Sequence, residues 1–111
     1  MKALILAFSL FSGSAFAACE EPTIGTKAAP AFSPPLSVVV IGMGRLQFYS
    51  APDPGCTMKD VFVIPKDALI TYAQSGGWSS VIYSHPATGD TVSGWVKSSR
   101  LKKTGTVGPR R

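Results

Sequence analysis

Imidazole, thiol and carboxylate groups are scarce in this chain: one histidine, two cysteines and six acidic residues among 111. Each shortage excludes a chemistry. A nucleophilic centre needs a base beside a Ser or Cys, and the one imidazole, His85, stands before Pro86 in a turn-rich stretch where an exposed histidine is ordinary. Hydrolysis by paired carboxylates needs two acids in one pocket. Here Asp53, Asp60, Asp67 and Asp90 each fall in a turn or loop, where Asp bonds nearby backbone amides. One histidine and two cysteines far apart in sequence have no zinc spacing. Helical periodicity is missing after the first seventeen residues, and no apolar run reaches the roughly twenty residues of a membrane-spanning helix. These absences predict a protein that binds and does not catalyse, with no metal site.

The N-terminus has the marks of a signal peptide over residues 1–17: Lys2, an uncharged apolar run from Ala3 to Phe11, and small residues at Ala15 and Ala17. Cleavage is expected before Ala18, which makes the mature protein exported, either periplasmic or secreted. Removing Lys2 leaves ten basic residues against six acidic ones, a net charge of +4. Lys97, Arg100, Lys102, Lys103, Arg110 and Arg111 read as a solvated basic end. The excess suits anionic lipid or cell-wall polymer, and no basic-aromatic motif points to nucleic acid. In an oxidising compartment the simplest fate of Cys19 and Cys56 is a disulfide. The alternatives are two free thiols, or a lipid anchor at Cys19, since Phe16-Ala17-Ala18-Cys19 is similar to a bacterial lipobox.

Residues 18–35, with Pro22, Pro30, Pro34 and Pro35, read as an extended leader that is ordered only if Cys19 ties it down. Leu36 to Ile41 is a β-branched run that suits a buried strand. Alternation continues through Arg45–Ser50, Ala68–Ala73 and Trp78–Tyr83, and a last short strand follows at Leu101. Ala51-Pro52-Asp53-Pro54-Gly55-Cys56 is the densest turn signal, and His85–Asp90 marks a hairpin loop. Five or six short antiparallel strands with no helix to cover them predict an all-β domain over residues 36–104. Its sheet curls and closes into a small barrel, and residues 105–111 form a disordered basic tail.

Gly77-Trp78-Ser79-Ser80-Val81 and Gly94-Trp95-Val96 resemble the paired signatures of bacterial SH3-like (SH3b) domains of exported envelope proteins. Arg45 to Pro52 is similar to that family's opening strand and small-residue-Pro turn, with Gln47 and Tyr49 where Asn and Arg are frequent. Pro65 to Leu69 is similar to its entry to a middle strand, with Lys66 in place of glycine. The resemblance implies an SH3-like barrel, no cofactor, and binding of a cell-wall peptide or an envelope protein partner. It implies no activity.

Trp95 and Val81 read as core. Tyr49 and Trp78, beside the 52–56 loop and the 75–77 turn, read as an aromatic groove, with Tyr83 the further ring of the set. Asp53 supplies an acidic rim for a basic ligand, on the resemblance alone. The other expected function is that of a periplasmic inhibitor or immunity protein against a cell-wall-degrading effector.

Overall fold

The computed structural model describes residues 19–107. The expected signal peptide, Arg110 and Arg111 lie outside the described residues. Seven strands follow one another: β1 (Ala31–Val40), β2 (Leu46–Tyr49), β3 (Thr57–Val63), β4 (Ala68–Ser75), β5 (Trp78–Ser84), β6 (Thr91–Lys97) and β7 (Leu101–Thr106). A 3-10 turn at Ser98–Arg100 joins the last two. The strands form one antiparallel sheet in the order β3-β2-β6-β5-β4-β1-β7. Among the described residues no helix is long and apolar enough to cross a membrane.

The described residues are all-β as expected, but they form seven strands, not five or six, and the sheet is not closed. The C-terminal segment expected as a short strand and frayed tail is a full partner of β1, from Val40↔Leu101 to Leu36↔Thr106. At the other end β1 starts within the stretch expected as leader, pairing Ala31 with Ala73. Pro34 and Pro35 fall in the register break between Ala31 and Leu36, where the ladder requires no donor. Closure is not needed because curling alone covers the apolar face. Val38 and Val40 of β1 share a buried cluster with Leu46 and Phe48 of β2, Val63 of β3, Leu69 of β4, Val81 of β5 and Val96 of β6. Val40 also exchanges backbone bonds with the β3–β4 turn, its N–H donating to the Asp67 carbonyl at 2.9 Å and its carbonyl accepting from Lys66 N–H at 2.8 Å. β3 and β7 remain as open edges.

Trp95 is fully buried, yet it is not part of that cluster. Successive residues of a strand face opposite sides, so with Val96 in the core Trp95 points out through the other face of the sheet. The leader covers it there. Trp95 Nε1–H donates to Glu21 Oε1 at 2.9 Å, and Gln74 N–H of β4 donates to the Pro30 carbonyl at 3.2 Å. A disulfide between Cys19 and Cys56, with Cα atoms 5.6 Å apart, fastens the start of this strap to the β2–β3 loop. Closing a loop with a sequence separation of 37 stabilises the fold by about 3–4 kcal/mol in the chain-entropy account. The same bond leaves Cys19 no thiol to carry a lipid.

Gly94 explains the small residue ahead of Trp95. A Cβ there would lie 2.9 Å from the Tyr49 carbonyl oxygen and 3.0 Å from Phe48 Cδ2, so only glycine lets β2 lie this close to β6.

Candidate functional site

Along β5 the buried Ser79 and Val81 mark the core side, which turns Trp78, Ser80 and Ile82 outward. Register extends this outer face across three strands. Trp78 pairs with Lys97, Ser80 with Trp95, and Trp95 with Tyr49. Paired residues share a face, so Tyr49, Trp78 and Lys97 stand together beside the strapped Trp95.

The rings of Tyr49 and Trp78 meet edge to face, centroids 4.8 Å apart at 78°. Lys97 Nζ lies over the indole, 5.1 Å from its centroid. Both rings are half-buried. The result is a rigid aromatic corner with a cation at its side, suited to apolar or planar groups that carry a negative charge nearby.

The other two candidate residues stand elsewhere. Asp53 Oδ1 accepts the Gly55 N–H at 2.7 Å, and the Asp53 carbonyl accepts the Cys56 N–H at 3.0 Å. Its carboxylate thus organises the loop that presents the disulfide. Tyr83 lies at the far end of β5 and on its opposite face, packed against the core with its ring 6.3 Å from that of His85. His85 Nδ1 accepts N–H bonds from Ala87 at 3.1 Å and Thr88 at 3.4 Å, shaping the β5–β6 loop. No group of three His, Cys, Asp or Glu side chains among the described residues is placed to hold a metal ion.

Sequence reasoning placed Arg100 in a solvated basic end, whereas its guanidinium is a clamp. It donates to the carbonyls of Ile41 at 2.6 Å, Gly44 at 2.6 Å and Arg45 at 3.3 Å. Gly42, at φ +89°, makes room, since a Cβ there would sit 2.5 Å from Arg100 Nε. Gln47 works in the same way on β3. Its amide reaches the carbonyls of Phe48, Met58 and Val61 at 2.8, 2.7 and 3.0 Å, holding a bulge between the Gln47↔Phe62 and Tyr49↔Thr57 pairs. The one missed residue that strand alternation could have assigned to the site is Lys97, two positions beyond Trp95 on the same face. Glu21 gave no such signal, because the leader has no period.

No protein family, curated protein or solved structure matches this chain.

Proposed function

We propose that this chain is a non-catalytic binding module of SH3-like type, acting after export in the periplasm or outside the cell. It recognises an extended peptide, from the cell wall or from an envelope protein, on the outer face around Tyr49 and Trp78. The observation that carries this reading is the half-buried Tyr49–Trp78 corner with Lys97 over the indole. Aromatic rings with polar tips, fixed on strands, take up ligand side chains with little loss of conformational freedom. Lys97 offers charge to a peptide carboxylate. The disulfide agrees with an oxidising compartment, and the two Gly-Trp motifs run side by side, Ser80 opposite Trp95. Neither cysteine is free to act as a nucleophile.

Co-sedimentation with purified peptidoglycan tests this reading. The mature protein should pellet with the wall, and Tyr49→Ala/Trp78→Ala should stay in the supernatant while still folded by circular dichroism. A wild-type protein that does not sediment but captures one envelope protein would move the ligand to that protein, and one that does neither overturns the reading.

A further inference from the structure

β2 and β6 touch at a single register pair, Tyr49↔Trp95. Beyond it the bulged β3 and the β5–β6 hairpin flank a shallow, open cavity of about 300 Å3. Val61 and Val92, both packed against the core, lie at its base. Phe62, 39 % exposed, and Tyr83 supply aromatic walls. Asp60 lines it from β3, and Asp90 from the end of the hairpin loop.

Charge marks the cavity out. The sequence holds six acidic residues against eleven basic ones, yet among the described residues no lysine or arginine lines this space. Three of the four other carboxylates are engaged by the protein itself: Glu21 by the Trp95 indole, Asp53 by the Gly55 amide, and Asp67 by the Ile64 amide. The side-chain carboxylates of Asp60 and Asp90 accept no hydrogen bond from any described residue, although they come from separate elements to one opening; the bond that Asp90 accepts is to its carbonyl, from His85 N–H at 2.7 Å. The Phe62 ring already attracts a cation, with the Arg45 guanidinium 4.4 Å from its centroid, and Arg45 is not a lining residue.

We propose that this cavity binds the side chain of a lysine, or a like alkylammonium group, on a peptide. The aliphatic stem lies along Val61 and Val92 between the two rings, and the ammonium sits between Asp60 and Asp90. The volume is at the lower end for a ligand site, which fits one side chain. The apolar base and aromatic walls take a methylene stem better than a hydrated inorganic ion. This site lies away from the Tyr49–Trp78 corner and stands or falls without it.

The test is a 1H–15N titration of the disulfide-bonded mature protein with Nα-acetyl-lysine amide, with N-acetyl-norleucine amide beside it, which keeps the four-carbon stem and lacks the ammonium. The lysine probe should shift the amides of Asp60, Phe62, Tyr83 and Asp90, with a dissociation constant in the millimolar range. Asp60→Asn/Asp90→Asn should weaken it about tenfold, as expected for two solvent-facing charge pairs. Asparagine suits position 60, where φ is +64°, because it tolerates the left-handed region, so the variant should keep its fold. Tyr49→Ala/Trp78→Ala should leave the lysine titration unchanged. Equal shifts with norleucine, no shifts at these residues, or an unaltered constant in the asparagine variant would overturn the proposal.

Discussion

Trp95 and Glu21, one on a central strand and the other in the leader, are joined by a 2.9 Å hydrogen bond from the indole N–H to the carboxylate. A buried indole N–H needs a partner, and this chain supplies it from a segment with no regular structure of its own. The second face of the sheet is therefore only as stable as the strap upon it.

Removing the ring should be costly. Trp95→Ala should lose about 3–5 kcal/mol, close to the whole stability of a domain this size. Trp78→Ala, whose ring is half-exposed, should lose clearly less. Urea unfolding followed by circular dichroism orders the two.

Reducing the disulfide should free the strap without erasing the sheet. Cys19→Ser/Cys56→Ser should unfold at a free energy about 3–4 kcal/mol lower. In its folded state Trp95 emission should shift to longer wavelength as Glu21 leaves the indole. Fluorescence of a Trp78→Phe background, in which Trp95 is the remaining tryptophan, isolates the effect.

The aromatic corner should contribute to binding more than to folding. Edge-to-face contact is worth about 0.5–1.5 kcal/mol, whereas burying a ring against a ligand contributes about 1–3 kcal/mol. Tyr49→Ala/Trp78→Ala should thus weaken peptide affinity by a factor on the order of a hundred. Lys97→Ala should weaken it by less than tenfold and more so at low salt. Calorimetric titration at two ionic strengths separates the contributions.

Gly94→Ala should be more harmful than its single added methyl implies. With the Tyr49 carbonyl at 2.9 Å and Phe48 at 3.0 Å, β2 must move away from β6. The expected loss is about 1–3 kcal/mol, measured by denaturant unfolding. The amide of Tyr49 should also show a large chemical-shift change.

Arg100→Lys should act locally. A lysine has a point charge in place of the planar fork that reaches three carbonyls, so the 41–45 turn should loosen. Amide exchange of Met43, Gly44 and Arg45 should quicken by about tenfold, with global stability lowered by about 1 kcal/mol.

Alternation made much of this legible. Trp78, Ser80 and Ile82 against Val81 and Tyr83 gave the faces of β5 directly, because a strand's period is fixed by its backbone. Two cysteines downstream of a signal-peptide-like N-terminus pointed to the disulfide. The last strand was expected to be short, whereas β7 runs to Thr106, because two lysines and a glycine look like a tail until β1 lies beside them. Trp95 read as buried, and it is; the side of the sheet on which it is buried was not legible, because only the strap reveals a second covered face. Arg100 and Gln47 bond backbone carbonyls of other segments, and nothing in local composition encodes such partners.

The open edge of β7 has a consequence for the molecule in bulk. Lys102 and Lys103 stand on the outermost strand, paired with Val39 and Val38 of β1, so charge guards one rim of the sheet. Beneath it Val38, Val39, Val40 and Ile41 form the kind of uncharged β-branched run that seeds fibrils when it finds a free edge. A chain shortened before Leu101 would exchange a lysine rim for a valine one, and it should aggregate at concentrations where the longer chain stays monodisperse. Proteolytic trimming of the C-terminus is accordingly a route to precipitation rather than to a smaller working domain.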